Sequence, residues 1–343
     1  MPDSAPRVAP GPTTSAAGSS HGEPGGSDLL LVVLLGMLWG AAFPVIRAGI
    51  VAGAPPLLFA AIRYLLTSAA LAPIAIFVRS PRPSKADLVP ALSFGGLFMI
   101  AGYGALLYLG ETSISGGLAA VLTASAPLAS ALIGYRLLPA ERFGGPGVVG
   151  LLIGFAGVTV LVLPGLMAPH AGGLIGSVLV FAAVLTFATG SVLLRRTATS
   201  ATTFWLLSAQ FAIAGVVVGA IALLVGEPLR LGAPTTVLFA LVFLVILPGI
   251  LGYTLYFRIL YSSGPTRANL VGYVNPVTGV LVGLLVFGEA VTGFELAGLA
   301  LIAVGLYLLQ RDRRRPDRTA KQQPATAAAG PHQGTPQTDS KSS

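Results

Sequence analysis

The chain has 343 residues, 54% hydrophobic and 9% charged, with a formal net charge of +8 and a mean hydropathy of +0.85. A soluble domain carries about 25% charged residues, so most of this surface must face lipid. The basic balance does not imply nucleic acid, because ten of the twenty Lys and Arg lie in 79–85 or after Leu309 and no basic stripe is interleaved with aromatics.

Cysteine is absent, which excludes disulfides, thiolate nucleophiles and cysteine metal sites. Residues 1–28 are rich in Pro, Gly, Ser and Ala without an apolar run, and read as a disordered tail. Ten apolar stretches follow, at 29–49, 55–78, 88–109, 115–137, 145–164, 173–194, 202–225, 234–258, 265–287 and 293–309. Most approach the ~20 residues that cross ~30 Å of hydrocarbon as helix. The expected fold class is therefore an all-α integral membrane protein with ten transmembrane helices. The segment 310–343 opens on arginines and dissolves into Ala, Pro, Gln and Thr, a second disordered tail.

Loops after the even stretches hold Arg79, Arg82, Lys85, Arg136, Arg142, Arg195, Arg196, Arg258 and Arg267; the odd side holds only Arg47 and Arg230. Basic loops stay inside, so a cell-membrane location with both termini cytoplasmic is expected.

The chain also repeats itself. A shift of 148 carries Arg47 onto Arg195, Tyr108 onto Tyr256 and Ser115-Gly116 onto Ser263-Gly264. It carries Glu141 onto Glu289, Gly150 onto Gly298 and Gly157 onto Gly305, and Pro127 and Pro276 correspond within one residue. Two repeats are expected, 29–164 and 173–309, each of five helices. Five is odd, so the second repeat enters the membrane inverted, an architecture used by carriers.

Chemistry-bearing residues are few. There is no P-loop, the lysines (85, 321, 341) and histidines (21, 170, 332) lie in loops or tails, and no Asp falls between Asp87 and Asp312. A membrane hydrolase or metalloenzyme lacks its base and ligands here; no cofactor and no metal are expected. Small residues spaced i, i+4, such as Gly36/Gly40 and Gly150/Gly154, read as helix packing.

Prolines inside spans free backbone carbonyls. Pro127 lies near Thr123, Ser125 and Ser130, and Pro276 near Asn269, Tyr273 and Asn275. These form a candidate binding region with Pro127 and Pro276 as hinges, the alternative being kinks that only shape the helix. Trp39 and Phe43, Tyr103, Phe187 and Ser191, and Tyr253 and Tyr256 are candidate lining residues, with belt or lipid-facing roles the alternative for the aromatics. Arg63 falls about 12 Å into its span at ~1.5 Å per residue. It should face the protein interior and take a partner, either a carbonyl freed at a proline or an anionic group on a substrate, the alternative being snorkelling to the outer interface combined with carbonyl bonding. Glu111, Glu141 and Glu289 read first as solvated helix-end charges; the repeat adds a gating role for Glu141 and Glu289, which it places at opposite faces.

The run Leu35 to Phe43, with Trp39-Gly40 and Phe43, resembles the W-G-x-x-F opening of EamA-type members of the drug/metabolite transporter superfamily. Ile62-Arg63-Tyr64 resembles that family's second-helix arginine, and Ala126-Pro127 to Glu141-Arg142 and Asn275-Pro276-Val277 to Gly288-Glu289 resemble its repeat signature. The likeness spans Leu29 to Leu309, although Phe187 replaces Trp39 in the second repeat. It implies a central cavity and outward movement of small substrates such as amino acids or drugs. Expected partners are a small-molecule substrate and the lipid bilayer, with no nucleic acid; oligomeric state stays open. Amino-acid export leads, with drug efflux the alternative, and a channel or membrane enzyme behind.

Overall fold

The computed structural model describes residues 26–138, 143–167, 172–197, 203–232, 235–263 and 271–313. Ten apolar helices account for nearly all of them. They are α1 (Leu30–Val51), α2 (Pro56–Phe77), α3 (Lys85–Gly110), α4 (Gly116–Leu137), α5 (Gly145–Pro164), α6 (Gly173–Leu194), α7 (Phe204–Leu224), α8 (Thr235–Tyr256), α9 (Val271–Phe287) and α10 (Gly293–Asp312). These agree with the sequence expectation to within a few residues. The first helical turn already begins at Gly26, ahead of the apolar run. The part of the ninth stretch before Val271 lies outside the described residues.

Helix is the only economical form here, since a span without water must satisfy its N–H and C=O groups internally. The starts are marked locally. Ser84, Ser115 and Thr203 accept from the backbone N–H of Asp87, Leu118 and Leu206 (3.2, 3.1 and 3.3 Å) at the heads of α3, α4 and α7. Pro55-Pro56 starts α2, where a missing N–H costs nothing. With an even number of spans the two chain ends share one face, here called proximal; the opposite face is distal.

The inverted duplication is visible in the packing. Helices α2 and α7, α4 and α9, and α5 and α10 pair across the repeats; α1 meets α9 as α6 meets α4, and α8 meets α1 as α3 meets α6. At the α5–α10 crossing the pairing is reciprocal. A Cβ on Gly150 would lie 2.6 Å from the Gly305 carbonyl oxygen, and one on Gly305 would lie 2.5 Å from that of Gly150. Gly157 and Gly298 do the same at 2.8 and 3.0 Å. Since Gly150 corresponds to Gly298 and Gly157 to Gly305 by the 148-residue shift, residue i meets j′ and j meets i′, as a two-fold axis requires. Between α2 and α7, Ser68 Oγ donates to the Ser208 carbonyl (2.8 Å) and Ser208 Oγ to that of Ser68 (3.0 Å).

Two equivalent helices are wound more loosely. α3 is a π-helix over Ala91–Gly102 and α8 over Val245–Leu251, segments that overlap under the repeat shift. π-segments re-aim side chains and gather at functional sites. Behind each lies a glycine of the same repeat position. A Cβ at Gly104 would collide with the Tyr64 hydroxyl, and one at Gly252 would lie 2.5 Å from Trp39 Nε1. Helix α4 is broken outright: its first half ends at Thr123, and a second helix starts at Ala126.

Candidate functional site

The centre of the bundle is aromatic and holds one arginine. From α2, the Arg63 guanidinium donates through one Nη to Tyr108 Oη at 3.0 Å, lies 5.7 Å from the Tyr64 ring centroid, and buries its Nε with no partner. Of the two partners expected from the sequence, a proline-freed carbonyl is not the one bonded among the described residues: the protein partner of Arg63 is the Tyr108 phenol on α3. A phenol at that depth supplies an acceptor without a counter-charge, so the positive charge is left uncancelled nearby. The side chain is half-buried rather than sealed.

Around it the rings form a connected wall. Tyr64 meets Phe211 (5.8 Å between centroids), Phe211 meets Tyr253 (5.4 Å), and Tyr253 meets Trp39 (5.3 Å), which also meets Tyr256 (5.6 Å). Tyr103 and Phe187 pair at 5.6 Å on α3 and α6. Tyr103 and Tyr253 both lie in the electrostatic reach of Arg63. Trp39 Nε1 donates to the Pro248 carbonyl, within the π-segment of α8, at 3.0 Å. Five candidates from sequence therefore share one wall or stand beside it: Trp39, Arg63, Tyr103, Tyr253 and Phe187. Tyr256 joins it through Trp39, and Phe43 packs as core behind it. Tyr64, Tyr108 and Phe211 were missed. The i, i+1 step from Arg63 to Tyr64 was the available signal for the first.

The small polar candidates are spent locally. Thr123 Oγ1 donates to the Ala120 carbonyl (2.8 Å), Ser125 Oγ to that of Leu122 (2.7 Å), and Ser191 Oγ to that of Ala188 (2.9 Å). The first two fall on the break in α4 and satisfy its last carbonyls. Asn275, with its amide turned to satisfy both ends, donates to the Val271 and Gly36 carbonyls (3.1 Å each) and ties α9 to α1. Tyr273 accepts from Gln310 Nε2 and, with Pro276, lines a separate cavity of about 100 Å³ between α4, α9 and α10. Pro127 is exposed in the first turn of the second half of α4, whereas Pro276 is buried inside an unbroken α9. Asn269 and Glu141 lie outside the described residues.

A second cluster lies at the distal face. Gly288 ends α9 with φ +65°, a left-handed turn that glycine adopts freely. This swings Glu289 across the repeat boundary. Its Oε1 accepts from Gly116 N (2.9 Å) and its Oε2 from Gly117 N (2.8 Å), so one carboxylate caps the head of α4. Glu227, after Gly226, caps α2 in the same way through Leu57 N (3.1 Å) and Leu58 N (2.8 Å). Beneath Glu289, the Arg47 guanidinium donates to the Glu111 carbonyl oxygen. The reading of Glu111 as a solvated helix-end charge is corrected: the residue is fully buried and neither carboxyl oxygen has a partner. Proximity in the tertiary fold, not the local sequence, hides it.

The model of the EamA-like transporter family matches residues 27–163 and 174–311, one match per repeat. The chain belongs to that family. It is a multi-pass membrane protein of transporter type. Among its relatives is an uncharacterized inner membrane transporter of Escherichia coli, YedA, 27% identical over 277 residues, covering 80% of this chain and 87% of the relative. A probable amino-acid metabolite efflux pump of Salmonella typhimurium is 28% identical over 292 residues (82% and 94%). The uncharacterized transporter YdfC of Bacillus subtilis is 30% identical over 285 residues (78% and 85%). A solved crystal structure aligns with TM-score 0.58 at 22% identity, covering 84% of this chain and 99% of the other, which shows a shared fold.

Proposed function

We propose that this EamA-family protein is a secondary carrier that exports small amphipathic carboxylates, amino acids foremost, by alternating access of its inverted repeats. The observation that carries the reading is Arg63: a half-buried side chain whose Nε is buried and unpartnered, beside an aromatic wall and without a carboxylate bonded to it. A planar donor fork suits a substrate carboxylate, and the wall suits an apolar remainder. Naming of relatives as amino-acid metabolite efflux pumps agrees with this substrate class. The distal closure built by Glu289 supplies one gate. The corresponding residues Glu141 and Ser263-Gly264 would supply the other, and Asn269, Tyr273 and Asn275 with the Pro127 and Pro276 hinges would move with it.

Purified protein in vesicles preloaded with an apolar amino acid should accumulate the labelled acid by counterflow. Its methyl ester should compete at least ~10-fold less well, since a charge-assisted hydrogen bond contributes about 1.5–3 kcal/mol. Equal competition by acid and ester would remove Arg63 from substrate reading. Flux without counterflow would make the protein a channel.

We further infer from the distribution of basic loops that both termini are cytoplasmic and the distal face is external. Reporters fused after Arg82, Arg142 or Arg196 should then be cytoplasmic, and those after Gly53, Ala168 or Gly232 external. A member of the first set found outside would overturn this orientation.

A further inference from the structure

The distal cluster contains two acids in contrasting surroundings. Glu289 offers each of its oxygens to a backbone N–H at the head of α4, which suits a bare carboxylate. Glu111, at the end of α3, offers its oxygens to nothing and is fully buried. The groups that face it come from several elements. They are Glu289 from the α9–α10 turn, Arg47 from α1, Arg63 from α2, and Tyr103 and Tyr108 from its own helix. Glu295 lies within the electrostatic reach of Glu289. From α6, Gly176 and Val180 close on Gly110 and bring no titratable group.

Neither arginine serves the Glu111 carboxyl. Arg47 donates to the Glu111 backbone carbonyl, and Arg63 to the Tyr108 hydroxyl. Leaving a bare carboxylate in a dry pocket without a hydrogen bond costs more than protonating it. Burial, reinforced by the Glu289 charge, raises the Glu111 carboxyl well above the usual carboxylate range, and the two arginines only moderate the rise. A buried carboxyl raised in this way and left without a hydrogen bond is a place for a proton to bind.

We propose that Glu111 is a proton-binding site whose occupancy is tied to closure of the distal face. As Glu289 docks on Gly116 and Gly117, one proton passes from distal water to a Glu111 carboxylate oxygen. As Glu289 leaves, water reaches Glu111 and the proton returns to it. No other bond is made or broken. The proposal rests on the carrier reading above, because it requires a distal face that opens.

The sign follows from linkage. The closed state carries the raised affinity, so closure is favoured below the ionisation of Glu111 in the open state and is lost as pH rises through that of the closed state. Between them the closed-to-open ratio changes about tenfold per pH unit for one proton.

The chain has no cysteine, so the exposed positions Thr112 and Ala290 can be paired as T112C/A290C. Spin labels there report the distal gap by double electron–electron resonance in lipid vesicles from about pH 5 to about pH 9. The short-distance population should fall with rising pH by up to about tenfold per unit, and Glu111→Gln should keep the short distance throughout. A flat wild-type profile, or Glu111→Gln with the wild-type slope, overturns the proposal. Should Glu111→Gln fail to assemble, Glu111→Asp should retain the one-proton slope with a moved midpoint; an unchanged midpoint overturns it. Two distances that respond to amino acid but not to pH sink this inference and leave the carrier reading standing. One distance under every condition sinks both.

Discussion

Arg63→Ala is expected to reduce transport of a carboxylate substrate by roughly 10- to 100-fold or more, from the ~1.5–3 kcal/mol of a charge-assisted bond. Expression and monodispersity should be unaffected. Placing arginine deep in a span costs at least ~2.5 kcal/mol on insertion scales, and alanine removes that cost, so the fold does not depend on the charge. The position corresponding to Arg63 in the other repeat is Phe211, so the shared architecture does not demand a cation there either. Arg63→Lys should recover only part of the activity, because a point charge replaces a planar fork. Transport at wild-type rate by Arg63→Ala, or its collapse into aggregates, would make Arg63 structural.

Glu289→Ala is expected to hold the distal face open. The substitution strips both acceptors from the head of α4, where Gly116 N and Gly117 N then lose their carboxylate. Losing a cap costs about 0.5–2 kcal/mol, and the helix-dipole interaction adds about 0.3–1 kcal/mol. Together, about 0.8–3 kcal/mol, these move the closed-to-open ratio by roughly four- to 160-fold. The T112C/A290C label pair should show the long distance in this variant even in acid. An unchanged short distance would mean that packing, not Glu289, holds the face shut.

The spans and their duplication were legible because lipid imposes length and the repeat shift is carried by residues with few substitutes. Interior geometry was less so. α3 and α8 are apolar on every face, so no periodicity announced their π-segments, and the break in α4 looked like an ordinary proline kink. Arg63 was legible as a lone deep charge, but Tyr108 was not, since its partnership depends on how α2 crosses α3. The caps had a signal that went unread. Gly110-Glu111, Gly226-Glu227 and Gly288-Glu289 all end odd-numbered helices on the distal face. In two of them the glutamate turns outward to cap another helix, and in the third it is buried; the dipeptide alone does not separate these fates.

The reciprocal glycine crossing of α5 and α10 bears on the switching itself. Exchanging the conformations of two repeats about a two-fold axis returns any contact that straddles the axis to itself. Gly150 against Gly305 and Gly157 against Gly298 form such a self-mapping pair, so the seam can serve both states unaltered. The Glu289 contact with Gly116 has no such privilege: the 148-residue shift carries these residues onto Glu141 and Gly264, which lie outside the described residues, and on the carrier reading proposed above the two pairings would be alternatives. On that reading the molecule would divide into an axle, where backbones touch and nothing is renegotiated, and a pair of latches on which the free-energy difference between states would be concentrated. Mutations in the axle would be felt as lost assembly, and mutations in the latches as a changed bias between the states.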